Sequence, residues 1–150
     1  MWTKTAVLVL AANLLAQTTA ALAALGGDAA SIDVDRAHMK AQRRIVAARK
    51  YSVQEMQLPS GTTIREYLSP AGKVFAVAWQ GPHMPDLRQL FGDHFEAYRD
   101  AAQGGRKARG PLRVEQPGLV VHSGGHMRGF AGRAYVPQLV PADVSIDEIK

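Results

Sequence analysis

The sequence contains no cysteine, and this absence excludes several features of small exported proteins. No disulfide can form, no lipid can be attached through a cysteine that follows an export signal, and no catalytic cysteine is available. The sequence also has no internal repeat and no low-complexity segment. At 150 residues the chain is long enough for one domain, which its hydrophobic core alone must stabilise.

Motifs of common enzymes are absent as well. The sequence has no nucleophile elbow, and neither Gly104-Gly105 nor Gly124-Gly125 precedes a helix, as a phosphate-binding glycine loop would require. We therefore expect no cofactor and favour a protein without enzymatic activity. The alternative is an enzyme whose catalytic residues converge only in the fold.

Residues 1–23 are typical of a removable export signal. Lys4 supplies the positive start, residues 6–16 form an apolar run broken only by Asn13, and Ala21-Leu22-Ala23 has the small residues of a cleavage site. A membrane anchor is the alternative, but a spanning helix needs about 20 mostly apolar residues. The pattern therefore favours removal of this segment.

Cleavage near Ala23 would leave a single exported domain, residues 24–150, without a transmembrane span and located in the periplasm or outside the cell. The formal net charge of the whole chain is +5. For an exported protein the nearby anions are lipid headgroups, lipopolysaccharide and acidic polysaccharides, so we expect no nucleic-acid partner. The partner is unknown; an envelope protein or an anionic envelope component is the candidate, and charge used only for solubility is the alternative.

Three stretches between Tyr51 and Gly81 predict an antiparallel β-meander, because turn residues separate them at 59–61 and 69–72. The third stretch, 74–79, is apolar at every position, which indicates a central buried strand. We expect its large side chains on one face and its small ones on the other, with a helix packed on the small face. The large set is Phe75, Val77 and Trp79, and the small set is Val74, Ala76 and Ala78.

The main helix is predicted from Pro85 to Ala102, because apolar residues recur there at helical spacing. Gly92 costs about 1 kcal/mol of helix propensity against alanine, and we expect it to allow close packing on the sheet. His94 falls on the apolar stripe and is expected to be a core residue. Its functional alternative is a general base paired with Glu66 or Asp93.

The remaining elements complete an α+β fold. After a flexible entry at 24–28, a short N-terminal helix is expected over Ile32–Gln42, with Ser31 as its N-cap. A second hairpin is expected near the end of the chain, with a turn at Ser123-Gly124-Gly125 and a returning strand over 127–136. We therefore predict an antiparallel sheet of four to six short strands packed against one main amphipathic helix.

Two surfaces are candidates for binding a partner. The first is the corner that ends the third strand, where aromatic, amide and imidazole groups meet at Trp79, Gln80, His83 and Met84. Its alternative is that Trp79 simply closes the core. The second is residues 104–111, a glycine-rich basic loop that we expect to be mobile, with Arg106, Lys107 and Arg109 as contact residues.

His122 and His126 flank the predicted Gly-Gly turn and are the weak candidates for metal ligands. Zinc sites need three or four protein ligands, and no third one is close in the sequence, so no metal is predicted. The alternative function, a small metal-dependent or histidine-based hydrolase, would use these two residues. Otherwise they are two solvent-facing imidazoles at the tip of a hairpin.

Six motifs of the sequence belong together. They lie at Ala24–Gly27, Leu58–Thr62, Arg65–Tyr67, Ser69–Pro82, Met84–Leu90 and Gly129–Pro137. In combination they resemble the exported DUF2844 family of Gram-negative bacteria, a family of unknown function. The resemblance covers essentially the whole chain after the predicted signal. It implies export and one compact domain, and it implies no activity, so no catalytic residue follows from it.

Overall fold

The computed structural model describes residues 25–104 and 110–150. Its centre is an antiparallel sheet whose seven strands are β1 (Gln42–Ala47), β2 (Ser52–Gln57), β3 (Thr63–Leu68), β4 (Val74–Gly81), β5 (Leu112–Gln116), β6 (Leu119–His126) and β7 (Gly129–Tyr135). Their order across the sheet is β1-β2-β3-β4-β7-β6-β5. The predicted α+β class and meander are confirmed, while the predicted strand number of four to six was too low. Exposed β1 pairs with β2 along its whole length although its own sequence shows no clear alternation.

A β-bulge between β3 and β4 decides which side chains face the helices. Leu68 pairs with Val74 and Tyr67 pairs with Ala76, so Phe75 is the extra residue. An extra residue reverses the side-chain alternation on one side of it. The predicted grouping of the large side chains was therefore wrong for Phe75, which lies on the opposite face from Val77 and Trp79.

The helices cover the face that carries the large side chains. Val77 and Trp79 belong to the cluster that also contains Leu90 and Phe91, and the Trp79 and Phe91 rings are 5.9 Å apart. The opposite, small face is covered by the end of the chain. There, Val144 and Ile149 pack with the residues Tyr67, Phe75, Ala76 and Ala78. Our expectation that a helix packs on the small face was wrong, because the bulge and the C-terminal segment were not visible in the sequence pattern.

The main helix is interrupted where the sequence has glycine. It consists of α2 (Leu87–Phe91), a 3₁₀ turn (Gly92–His94) and α3 (Phe95–Gly104). Gly92 has φ 48° and ψ −121°, a conformation that glycine adopts at little cost. The prediction of one continuous helix is therefore corrected. Leu90 and Phe91 at the end of α2 are fully buried, whereas no residue of α3 is.

Helix α1 (Ala29–His38) precedes the sheet. Asp28 is its N-cap and accepts a hydrogen bond from the Ser31 amide at 3.1 Å, so the helix starts and ends earlier than predicted. Residues 25–28 of the entry segment, which we expected to be flexible, make specific contacts: Leu25 is buried, its amide donates to the Leu90 carbonyl at 3.0 Å, and the Gly26 amide donates to the Val74 carbonyl. No helix within the described residues is long and apolar enough to cross a membrane.

The second hairpin is present, but its turn is elsewhere. Residues 123–125, predicted as the turn, lie inside β6, and the chain reverses at Met127 and Arg128. Arg128 has φ 65°, so this turn is made without glycine at that position. The error arose because paired glycines are common in turns, whereas here they allow close contacts within the sheet.

Candidate functional site

A cleft of about 450 Å³ opens on the small face of the sheet, beyond the area that the C-terminal segment covers. Its floor is formed by β4, β7, β6 and the start of β5, and Ile149 and Lys150 form one wall. The pairing of these strands brings together side chains that are distant in the sequence. The cleft therefore depends on the register of four strands rather than on any local motif.

Three basic side chains lie next to one another in the cleft, and we call them the basic row: Arg113, His122 and Arg133. Arg113 pairs with His122 across β5 and β6, and His122 pairs with Arg133 across β6 and β7. Directly paired residues in antiparallel strands have Cβ atoms about 5 Å apart on the same face. The row is consequently a continuous basic strip across three strands.

Arg133 also fixes the wall of the cleft. Its Nη1 donates to the main-chain oxygens of Ile146 and Ile149, at 3.0 and 3.2 Å. At the far end of the wall, the Tyr67 hydroxyl donates to the Lys150 oxygen at 3.0 Å and accepts from the Lys150 amide at 2.9 Å. The C-terminal segment is thus held by specific hydrogen bonds as well as by apolar burial.

One ring nitrogen of His122 has no hydrogen-bond partner. Its Nε2 atom is buried without a hydrogen-bond partner, and the nearest carboxylate oxygen, Oε1 of Glu115, is 3.6 Å away. That distance is longer than an ordinary hydrogen bond. The Glu115 side chain is mostly exposed, so it can move without breaking a packed contact. His122 can therefore accept or donate one further hydrogen bond.

Small residues form the part of the floor beside the basic row. Gln80 pairs with Ala131, and Ala131 pairs with Gly124, on the same face as the row. A Cβ added at Gly124 would lie 3.4 Å from the Cβ of Pro111, so this position has little room for a larger side chain. This second strip offers a flat, mainly apolar surface next to a charged one.

The structure places the four residues of the predicted corner in different surroundings. Trp79 is only 2% exposed and packs in the core, as its alternative interpretation stated, while Gln80 is exposed and lines the cleft. His83 and Met84 are exposed. The His83 ring contacts the Ser60 carbonyl at 3.2 Å, which ties it to the β2–β3 turn, and Met84 lines a neighbouring depression that shares Gly124 with the cleft. Of the four residues, Gln80 is the exposed one that lines the cleft, and the buried Trp79 contributes to the lining as well.

The remaining predicted residues are the basic loop and the two histidines. Arg106, Lys107 and Arg109 lie outside the described residues, and Pro111, at the end of the predicted loop, lines the cleft. His122 and His126 both lie on β6, four residues apart, so their Cα atoms are roughly 13 Å apart at the usual strand rise. They cannot bind one metal ion together, and within residues 25–104 and 110–150 no group of three potential ligands is found.

A second polar group is buried on the opposite face, and we call it the acidic cluster: Asp35 on α1, Glu66 on β3 and Gln89 on α2. Asp35 and Glu66 are 0% and 1% exposed, and Gln89 Nε2 donates to Asp35 Oδ1 at 2.5 Å. If both acids were ionised, Asp35 Oδ2 and both Glu66 oxygens would lack a hydrogen-bond donor. A proton shared between the two carboxyl groups would satisfy Asp35 Oδ2 and one Glu66 oxygen, and the second Glu66 oxygen would still lack a donor.

The physical environment keeps that proton in place. Burial raises the pKa of Glu66 well above its ordinary value, and the neighbouring Asp35 raises it further, while the more distant charge of Arg43 opposes the shift. Burial also raises the pKa of Asp35, against hydrogen bonds from Glu66 and Gln89. The cluster is therefore a neutral or singly charged connection between α1, the sheet and α2.

His94 does not pair with either proposed carboxylate. The Glu66 carboxyl group interacts with Asp35 on the buried face of the sheet. In the described part of the chain, no hydrogen bond or ion pair joins His94 to Asp93. The His94 ring is half-buried and lies beside Gly26. The general-base alternative thus has no geometric support, whereas a packing role agrees with the contact.

Sequence reasoning missed both polar clusters. Arg113 lies at the end of the basic stretch that was a predicted contact surface, but its position beside His122, and that of Arg133, arise from two independent strand registers. Asp35 was not a predicted site residue, and Glu66 was considered only as a partner of His94. The only available signal was that Glu66 alternates with Ile64 and Leu68, which places a carboxyl group on an apolar face.

Comparison with known families supports the resemblance of the motifs. A family model described as "Protein of unknown function (DUF2844)" matches residues 21–149. The chain belongs to this family. Searches of curated proteins and of solved structures found no match. Membership in DUF2844 assigns no activity, so the function has to be argued from the cleft.

Proposed function

We propose that this protein is an exported, non-enzymatic binding module of the cell envelope and that its ligand occupies the cleft. The observation that carries the proposal is the cleft itself, a concavity of about 450 Å³ whose polar side chains are positioned by paired strands. Ligand sites are commonly preformed concavities of roughly 300–1,000 Å³ with a few fixed polar groups. The cleft has these properties, with apolar and basic strips side by side.

The chemistry of the two clusters favours binding over catalysis. The acidic cluster has the perturbed carboxyl groups that an enzyme could use, but it is sealed beneath α1 and cannot reach a ligand. The basic row offers charge and hydrogen bonds, and within the described residues no hydroxyl is hydrogen-bonded to His122. A ligand in the cleft would thus be held without an adjacent nucleophile and base.

Export to the periplasm or the medium is the second part of the proposal. It is supported by the signal-like residues 1–23, and removal near Ala23 would spare the entry segment, where Leu25 is buried in the core. N-terminal sequencing of protein recovered from the envelope of a Gram-negative host tests this part. A chain that retains Met1 in the cytoplasmic fraction would contradict it.

A single introduced cysteine can test the cleft, because the natural sequence has none. Ala131→Cys places a fluorescent label on the exposed floor of the cleft, and Ala47→Cys places the same label on exposed β1 at the other edge of the sheet. Fractionated envelope extract should change the fluorescence saturably at position 131 and leave position 47 unaffected. Equal responses at the two positions would contradict a ligand site in the cleft.

The same experiment separates binding from catalysis. Mass spectrometry of the active fraction before and after incubation with the protein should recover the ligand unchanged. Time-dependent conversion of that ligand, lost on removal of His122, would instead support the histidine-based enzyme. The basic loop residues Arg106, Lys107 and Arg109 remain a candidate contact surface for an anionic envelope component.

A further inference from the structure

We propose that the cleft binds a phosphoryl group through the basic row, an inference that rests on the proposed function and names the chemistry of its ligand. Arg113, His122 and Arg133 form consecutive cross-strand pairs on one face of the sheet. Each arginine is paired with His122, so two permanent positive charges flank one imidazole across three strands. The donors of both guanidinium groups can therefore reach the space above His122.

Compensation from the protein is incomplete. Arg113 forms no ion pair with any described residue, and Arg133 directs Nη1 to two main-chain oxygens rather than to a carboxylate. Glu115 is on the same strand and face as Arg113, and its Oε1 lies 3.6 Å from His122 Nε2. This exposed carboxylate can neutralise the positive charge of one of the three basic side chains. The guanidinium of Arg113 and the remaining donors of Arg133 are left for a ligand.

The geometry favours a phosphoryl group over a carboxylate. The row extends over two strand spacings, roughly 10 Å, and its long side chains can converge on one group from three strands. A phosphate presents three or more acceptor oxygens and can engage three donors, whereas a carboxylate presents two oxygens. Arginine also binds phosphate through paired, charge-assisted hydrogen bonds. The unpartnered Nε2 of His122 is buried 3.6 Å from Glu115 Oε1, so it can contact a ligand only when the exposed Glu115 side chain moves aside.

The neighbouring strip indicates what the phosphoryl group is attached to. Gln80, Gly124 and Ala131 form a flat surface with little charge directly beside the row. An apolar or planar substituent can lie on this surface while its phosphate contacts the arginines. Such a phosphate ester could be a free small molecule or a lipid headgroup, and both would present the same chemistry to the cleft.

Titration of the full mature chain with inorganic phosphate, phenyl phosphate, acetate and phenol tests this inference by NMR. Both phosphates should shift the backbone amide signals of β5, β6 and β7, with phenyl phosphate binding more tightly than inorganic phosphate. Acetate and phenol should bind at least tenfold more weakly than phenyl phosphate. Vesicles of phosphatidylcholine with and without phosphatidic acid identify the source: retention on the anionic vesicles supports a headgroup, and binding to phenyl phosphate alone supports a free ester.

Two arginine variants form a matched pair. Arg113→Gln on edge strand β5 should weaken phenyl phosphate binding about tenfold or more, whereas Arg44→Gln on the opposite edge strand β1 should change it less than twofold. Both remove one charge from an exposed strand position, so thermal unfolding should show both variants folded. Glu115→Gln, which removes the competing carboxylate, should strengthen binding.

The outcome that contradicts the phosphoryl inference differs from the outcome that contradicts the proposed binding function. Equal weakening by the two arginine variants would indicate attraction to net charge rather than to the row. If neither phosphate binds at about 20 mM but a neutral ligand from the envelope still changes the label at position 131, the phosphoryl inference is wrong and the binding function stands. If no ligand changes that label, both are wrong.

Discussion

The two polar clusters of this protein lie on opposite faces of one sheet and differ in their access to water. The acidic cluster of Asp35, Glu66 and Gln89 is sealed beneath α1, whereas the basic row opens into a cleft. Each group contains two residues that normally carry the same charge. The comparison shows how the protonation chemistry of a residue determines where the fold can place it.

A carboxyl group can become neutral when it is buried, and an arginine cannot. Transferring an isolated charge into the interior is very costly, so a buried acid takes up a proton instead. The arginine guanidinium keeps its charge at any physiological pH, so it must remain solvated or bind an anion. The acidic cluster can therefore serve as an internal connection, while the basic row can exist only at a surface or in a ligand site.

Alanine substitution at one residue of each cluster gives the largest expected contrast. Glu66→Ala removes a fully buried side chain, leaves a cavity and deprives Asp35 of its partner, so the free energy of unfolding at pH 5 should fall by about 3 kcal/mol. Arg113→Ala removes an exposed side chain and should change the free energy of unfolding by no more than about 0.5 kcal/mol. Urea denaturation measures both values.

This contrast would fail if Arg113→Ala were as destabilising as Glu66→Ala. The basic row would then be a structural element of the sheet, and a ligand would not be needed to explain it. Glu66→Gln is the matched control for shape, because an amide fills the same volume and can donate a hydrogen bond to Asp35. It should recover most of the stability that Glu66→Ala loses.

The pH dependence of stability sharpens the comparison further. Because the pKa of Glu66 is raised in the folded protein, the folded state keeps a proton that the unfolded chain releases above about pH 4.5. The stabilisation is complete below that pH and is lost as the pH rises toward the raised pKa. Within this window the free energy of unfolding should decrease by about 1.4 kcal/mol per pH unit for one proton.

The Glu66→Gln variant isolates this effect from other titrating groups. Subtracting its pH profile from that of the natural protein cancels contributions that both share, such as those of Glu55 and Glu148, whose lowered pKa values act in the opposite direction at acid pH. The difference should slope downward above about pH 4.5. A flat difference from pH 4.5 to 8 would mean that Glu66 is ionised in the folded state, contrary to its sealed position.

The sequence was sufficient for the elements whose signals are local. The unbroken apolar run at 74–79 predicted the central strand, and the periodic apolar positions predicted the main helix. The same patterns could not reveal the bulge at Phe75, since it depends on how β3 pairs with β4. That single extra residue decided which face the helices cover, so the predicted faces were partly wrong.

The candidate site was less accessible to sequence reasoning for a related physical reason. Gln80 was identified because it follows an aromatic residue at a strand end, and His122 because of its spacing from His126. Their common surface with Arg113 and Arg133 exists only through pairing of β4, β7, β6 and β5. Spacing along the chain does not determine such pairing. The turn predicted between the two histidines is part of strand β6 in the structure.

The smallest expected effect concerns the C-terminal segment, which covers part of the small face and forms one wall of the cleft. Tyr67→Phe removes the hydroxyl that donates to the Lys150 oxygen and accepts from the Lys150 amide, so the free energy of unfolding should fall by about 1 kcal/mol. Hydrogen exchange at the Lys150 amide should accelerate, because its partner is lost. Tyr51→Phe is the matched control: its hydroxyl contacts the Glu148 side chain, so the Lys150 amide should be unaffected. If both variants exchange alike at Lys150, the wall of the cleft is held by burial of Ile149 and by Arg133, and the hydroxyl of Tyr67 has no separate role in shaping the site.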